Sequence, residues 1–288
     1  MSTIGRYQDG IDVSNPDVIT PEEIEAYRAK YLGSNKGLLD SFEFWLEFRP
    51  DVFKRHKART RHFHTSKEAD FPLVTALTCL HQYTIQAFRE GVAYEIRSAQ
   101  SMGAIRTDIL DALSVAGIHS GHRGMYSAAA SADYLRSYED PETGERFPPN
   151  WSFDPNAFDS GMDFSRREAS MEDIEKLVAW HERVIGEVPR HVSFLARHRP
   201  GLLKAQRDRY EHAIQHSLPQ QFLPYMLLNY NVVRGSREGI RENVLLGRSL
   251  GMTREQLLDA ICLGVLHSGL DVIGVADEAV GEILPTID

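Results

Sequence analysis

The side chains best suited to moving protons stand in two short stretches, Arg89 to Glu95 and His119 to His122. Glu95 follows Gly91 by four residues, so on a helix the two share a face. A glycine there leaves room over the backbone for a small molecule to reach the carboxylate. In an apolar groove such a carboxylate ionises with difficulty, and its raised pKa suits proton transfer near neutral pH. On a short solvent-facing helix the same residue is only an exposed acid, and both readings stand. Glu90 opens the same helix, and Glu238 has the same place in the run Arg237-Glu238-Gly239. An acid there is favoured by the helix dipole and by free backbone N–H groups. The functional alternative is a general acid or base beside a substrate. Arg89 can grip a carboxylate through two parallel N–H bonds.

His119 and His267 lie in otherwise apolar helical sequence, where a lone histidine is either a hydrogen-bonded core residue or a proton carrier. Asp271 follows His267 by four residues and Arg123 follows His119, so the two rings have different electrostatics. His122 puts a second imidazole one helical turn beyond His119. With Glu90 or Glu95 the pair would give a two-histidine, one-carboxylate metal site. That spacing is a weak motif, and no metal ligand is assigned. His62-x-His64 is weaker still, since residues two apart face different ways. Tyr83, Arg89, Tyr94, Tyr126, Tyr230 and Arg234 can line a pocket for a carboxylate or a phenol. Aromatic side chains at helical spacing more often fill a core, so of this group only Arg89 joins the binding candidates, with His122, Glu238 and His267.

The elements that must hold these residues repeat. At an offset of 150, Thr20, Glu22, Ile24 and Glu25 align with Ser170, Glu172, Ile174 and Glu175, and Phe44, Arg49 and Pro50 with Phe194, Arg199 and Pro200. At an offset of 148, Arg89-Glu90-Gly91 aligns with Arg237-Glu238-Gly239, Leu110-Asp111-Ala112 with Leu258-Asp259-Ala260, and His119-Ser120-Gly121 with His267-Ser268-Gly269. One helical unit used twice is the simplest reading. It divides the chain into an arm over 1–19, a first unit over 20–136, a strap over 137–169 and a second unit over 170–288. Each unit begins at a capped helix start, Thr20-Pro21-Glu22-Glu23 or Ser170-Met171-Glu172-Asp173. Helices are then expected near 42–63 and 192–214, 71–88 and 218–233, and from Gly91 to Gly103 and Gly239 to Gly251. Apolar rows follow at i, i+4 and i+8, as in Leu257, Ile261 and Val265. No alternating strand pattern is found, so the fold class is all-α. The strap carries four prolines and the aromatics Tyr138, Phe147, Trp151, Phe153, Phe158 and Phe164. Flexible linkers are poor in aromatics. The strap is therefore expected to lie ordered on the helices, either filling a groove or covering a pocket.

Composition narrows the function classes. The 288 residues are 42% hydrophobic and 25% charged, as in ordinary globular chains. A formal charge of −9 argues against nucleic acid, which needs a basic surface. The basic run Lys54, Arg55, His56, Lys57, Arg59, Arg61 reads as a solvated helix face. Cys79 and Cys262 have no paired spacing and read as reduced thiols in a cytoplasmic protein. Met1 to Gly10 is polar, without an apolar signal core, and the most apolar stretch, 257–275, is interrupted by Asp259, His267 and Asp271. No membrane role is expected.

Each unit, with its Arg-Glu-Gly, its glycine-terminated short helix and a following helix such as Thr253-Arg254-Glu255-Gln256-Leu257-Leu258-Asp259-Ala260, resembles the carboxymuconolactone decarboxylase family, also called alkylhydroperoxidase D-like. The resemblance implies an all-α oligomer, here a trimer or dimer of fused pairs, with sites between helices. The peroxidase branch carries Cys-x-x-Cys and a following histidine. Those positions here are Phe88, Gly91 and Glu95 in the first unit and Ser236, Gly239 and Asn243 in the second. Thiol peroxidase chemistry is therefore not expected. The decarboxylase branch carries acids where Glu90 and Glu238 stand. The expectation is a cofactor-independent lyase or isomerase acting on a small carboxylated, aromatic-derived compound. Glu95, Glu90 and His119 would be catalytic, and the first unit would be the working one because Asn243 cannot exchange protons. Two alternatives stay open: a metal-dependent hydrolase or oxygenase using His119, His122 and a glutamate, and a catalytically silent binding or assembly paralogue.

Overall fold

The computed structural model describes residues 7–8, 11–12, 19–32, 39–59, 71–142, 144–214 and 217–288. The fold is all-α in its body. A two-residue antiparallel pair, β1 (Tyr7–Gln8) with β2 (Ile11–Asp12), departs from the strand-free expectation. Helix α1 (Pro21–Leu32) starts at a reciprocal cap: the Glu23 N–H donates to Thr20 Oγ1 at 3.2 Å and the Thr20 N–H donates to Glu23 Oε2 at 2.9 Å. Its counterpart α9 (Met171–Ile185) begins with the same box between Ser170 and Asp173.

The single helices expected near 42–63 and 192–214 are each two. Helices α2 (Asp40–Phe48) and α3 (Pro50–Arg59) meet at Arg49, and α10 (Arg190–His198) and α11 (Pro200–Glu211) meet at Arg199. Both arginines leave helical geometry, with φ/ψ of −148°/64° and −149°/60°. The proline that follows each excludes the α conformation from its neighbour and then serves as a first helical residue.

Helices α4 (Pro72–Gln86) and α12 (Phe222–Val233) are buried on nearly every side and pack against each other at the centre. Around α4 sit α5 (Arg89–Ser101) and α6 (Arg106–Ser120), and around α12 sit α13 (Arg237–Ser249) and α14 (Arg254–Ser268). Short helices α7 (His122–Ala128), α8 (Ala132–Arg136) and α15 (Asp271–Val280), not foreseen from the sequence, close the bundle. One apolar core runs through both halves and includes Leu77, Leu80, Ile109, Phe222, Met226 and Leu257, all fully buried. Burying such side chains contributes about 1.5–3 kcal/mol each. The bounds of α10 follow those of α2 by 150 residues, and those of α13 and α14 follow α5 and α6 by 148.

The basic run on α3 is a solvated face only in part: Arg55 and His56 are exposed, but Lys54 and Lys57 turn inward. Lys54 is 1% exposed and its ammonium donates to both carboxylate oxygens of Glu23, at 2.8 and 2.9 Å. Lys57 is buried too, with its ammonium 4.8 Å from the centre of the Phe42 ring. The second half has the matching ion pair, Lys204 to Asp173 at 2.8 Å. Removing one partner of a buried pair strands the other charge, so these bridges lock α1 to α3 and α9 to α11. His62, His64 and Arg61 lie outside the described residues.

The strap between the halves packs as groove filler. Trp151 and Phe158 are buried, Phe147 and Tyr138 pack on the core, and Phe164 packs against a second apolar cluster. The Trp151 indole donates to Gln256 Oε1 at 3.1 Å, and the Ser152 N–H donates to Gln221 Oε1 at 3.1 Å. Among the described residues, no helix is long and apolar enough to cross a membrane.

Candidate active site

A cavity of about 400 Å3 opens in the second half, between α9, α10, α11, α12 and α13, and α6 of the first half contributes one residue, His119. Its wall combines aromatic rings (Trp180, Tyr210, Tyr230) with polar side chains (His181, Asn231, Arg234, Glu242, Asn243). A concave, largely apolar space with a few convergent polar groups is the usual form of a small-molecule site.

The cavity follows from residue size. At the offsets of 150 and 148, the second half has Leu177, Val192, Asn231, Ser236 and Glu242 where the first has Tyr27, Phe42, Tyr83, Phe88 and Tyr94. In the first half these rings pack edge to face, Tyr27 on Phe42 at 6.4 Å, Phe42 on Tyr94 at 6.2 Å and Tyr83 on Phe88 at 5.4 Å between ring centres. The space over Gly91, expected to admit a substrate, holds the Phe88 and Tyr83 rings, which a Cβ at Gly91 would strike. Above Gly239 the corresponding neighbour is the Asn231 amide.

Glu242 is the titratable group at the centre of this site. Burial, then the nearby Glu238 carboxylate, pushes its carboxyl up to about 7. Its side chain is 24% exposed, and His191 Nδ1 stands 3.9 Å from its Oε2, beyond hydrogen-bonding distance. Arg234 supplies positive charge. Its guanidinium lies 5.2 Å from the centre of the Tyr230 ring and donates to the Tyr230 hydroxyl at 3.0 Å. Arg207 also lines the wall, but its guanidinium stacks 3.9 Å over Trp180 and donates to Glu211 Oε1 at 2.8 Å and to the Phe158 carbonyl of the strap. The strap thus steadies Arg207 from behind and contributes no residue to the wall of this cavity.

Two wall imidazoles are held neutral. Burial, with Arg207 adding to it, pushes the His181 ring down to about 3. Burial, with Arg209 adding to it, pushes His119 down to about 4. His119 rests against Tyr210 and Tyr230, with ring centres 6.3 and 6.4 Å away.

The residues singled out from sequence are dispersed. Glu95 is buried at 8% exposure on α5 and is not part of the cavity wall. Glu90 accepts the Asp40 N–H at 2.6 Å, and Glu238 accepts the Arg190 N–H, so each carboxylate caps the first member of the split helix pair earlier in its own half, α2 or α10. The dipole expectation had them serving their own helices, yet each reaches across to another; Glu238 also borders the cavity. Arg89 is exposed at the start of α5. His267 points into the first half, 3.8 Å from Cys79 Sγ and 5.3 Å from the Tyr83 ring centre, while His119 points into the second. His122 is exposed and stacks on Tyr126, because Gly121 at φ 60° ends α6 and turns the chain into α7. His119 and His122 therefore do not share a helix face. Among the described residues no three His, Cys, Asp or Glu side chains converge as metal ligands would, so the two-histidine, one-carboxylate set is not assembled. Tyr230 and Arg234, set aside as core candidates, do line the cavity. Glu242, His181, His191 and Arg207 were missed, and their sequence signal was the divergence from Tyr94, Tyr31, Ser41 and Lys57 of the first half.

No protein-family model matches the sequence, and no curated protein matches it. A solved structure from Burkholderia xenovorans, named as a candidate gamma-carboxymuconolactone decarboxylase subunit, is similar in fold. It has a TM-score of 0.55 and 16% identity, with 93% of this chain and 96% of that one covered. At that identity the likeness speaks to architecture alone, and the chain has an all-α fold of the carboxymuconolactone decarboxylase kind.

Proposed function

We propose that the protein is a cofactor-independent lyase or isomerase that moves a proton onto or off a small carboxylated compound in the second-half cavity. The observation that carries this reading is Glu242, a carboxyl that is half-protonated near pH 7 on the wall of a cavity that also contains Arg234. A carboxyl poised at the working pH can both give and take a proton, which contributes roughly 10²–10⁴-fold in rate. In a decarboxylation, the bond to the departing carboxylate breaks and CO2 leaves. The electron pair passes into an adjacent carbonyl as an enolate, and the carbon then takes the Glu242 proton. Glu242 is left ionised and is reprotonated from solvent. Arg234 anchors a carboxylate by charge and hydrogen bonds. Two copies of one helical unit account for the recurring helix bounds, and on this reading the first copy has been filled with rings while the second stayed open.

The test is a panel of small unsaturated and aromatic carboxylates, assayed for CO2 release and for loss of substrate absorbance. Turnover by the native protein with a drop of at least about 100-fold in Glu242→Gln is expected. Unchanged turnover in that variant would overturn the assignment.

A further inference from the structure

Beyond the carboxylate, we infer that the ligand of the second-half cavity carries a ring hydroxyl, recognised by the imidazoles of buried His181 and half-buried His119, so that the site takes a hydroxylated carboxylate. The inference shares its cavity with the lyase reading and rests on it for the anionic group, but its test is binding rather than turnover.

Two nitrogens carry it. His181 Nδ1 and His119 Nε2 are buried and have no hydrogen-bond partner in the protein, and both side chains line the cavity. His181 as a whole is 5% exposed. Buried polar atoms are almost always paired; neither nitrogen opens onto the cavity as the rings stand, but both rings belong to residues of its wall, so a modest turn of each ring presents an unmet nitrogen to a bound molecule. Both rings are held neutral by burial and by nearby arginines. A neutral imidazole nitrogen either accepts from an O–H or donates to an oxygen, according to tautomer. A hydroxyl answers in both roles, because it donates one proton and has two lone pairs. A second carboxylate answers only a donor, and an alkyl group answers neither.

The remaining walls fix the rest of the ligand. Trp180, Tyr210 and Tyr230 offer ring faces and edges. Arg207 is already neutralised by Glu211, which leaves Arg234 as the cation for one anionic group. At roughly 30 Å3 per water-sized group, the cavity of about 400 Å3 has room for about a dozen non-hydrogen atoms, the size of a one-ring compound. Sites built to bond a hydroxyl discriminate strongly against analogues that lack it, because the protein's own polar atoms are then left unpaired.

The experiment is titration calorimetry of the full chain with benzoate and with its 2-, 3- and 4-hydroxy derivatives as probes. At least one hydroxybenzoate is expected to bind about tenfold or more tightly than benzoate. In His181→Phe, checked for folding by its melting curve, that advantage should fall to about threefold or less with benzoate affinity retained. His119→Phe provides the same readout if His181→Phe does not fold. Arg234→Met should weaken every probe together. Equal binding of all four probes, no binding of any, or an advantage that persists in both histidine variants would overturn the inference. The hydroxyl preference holding without any turnover would count against the lyase reading alone. Turnover of carboxylates that lack a hydroxyl, with no such preference, would count against the inference alone.

Discussion

Glu242 and Glu95 show how one residue type can stand at nearly equivalent positions and meet different surroundings. Glu95 is buried one turn beyond Gly91, whose open side two rings fill, and Glu242 lines open space. The account predicts that Glu95→Gln changes kcat by less than about threefold, while Glu242→Gln loses about 100-fold or more. Stability should move in the opposite sense. The folded-state value of Glu242, about 7, lies above the ordinary 4.5. The folded protein therefore holds this proton more tightly than the unfolded chain, and its contribution is complete below pH 4.5 and lost as pH rises through 7. Glu242→Gln should then be more stable than the native protein at pH 8, by about 1–3 kcal/mol, and nearly equal to it at pH 4.5. Thermal melts at the two pH values check this. The sequence pointed to a titratable acid on the Arg-Glu-Gly helix of the first copy, whereas the proposed site uses the corresponding helix of the second. Depth and neighbours set a pKa, and neither is visible in spacing.

At the level of elements, the paired carboxylates Glu90 and Glu238 act as remote caps for α2 and α10. Replacing either by alanine leaves a backbone donor open and should cost about 1 kcal/mol, read as a lowered Tm. Glu238→Gln is more informative, because it keeps an oxygen acceptor at the cap and removes the charge that helps raise Glu242. It should move the Glu242 midpoint downward with little loss of stability, and the alkaline limb of any kcat–pH profile, where the proton donor is lost, should move down with it. Much at this scale was legible beforehand. Thr20 and Ser170 marked helix starts, and Gly103 and Gly251, at φ 91° and 81°, marked helix ends. The breaks at Arg49-Pro50 and Arg199-Pro200 were present in the sequence as proline signals, but the expected helices ran straight across them. The burial of Lys54 was not legible, since its partner Glu23 is 31 positions away.

Across the whole molecule, the two halves exchange histidines: His119 reaches the second half's cavity and His267 reaches Cys79 and Tyr83 of the first. The repeat in the sequence foretold matched histidines and an all-α body. It could not foretell the cavity in the second half, because a cavity is what several distant residues jointly fail to fill. Buried neutral imidazoles also give the molecule an acid weakness. His81, His119 and His181 sit at about 3, 4 and 3, below the ordinary 6.5. Below pH 6.5 the unfolded chain takes up protons that the folded one refuses, so stability falls as pH drops from 6.5 toward those values. By pH 5 the loss should be about 2 kcal/mol per histidine, seen as a falling Tm that His181→Phe makes less steep.

The claim at the centre is that the second half contains a proton-transfer carboxyl, and it can be tested without knowing the substrate. Carbon-13 NMR titration of the glutamate side chains from pH 4 to 9 should show one carboxyl with a midpoint near 7, absent from Glu242→Gln and present in Glu95→Gln. A spectrum in which every glutamate titrates in the ordinary range, or in which the near-neutral signal survives Glu242→Gln, would contradict the account.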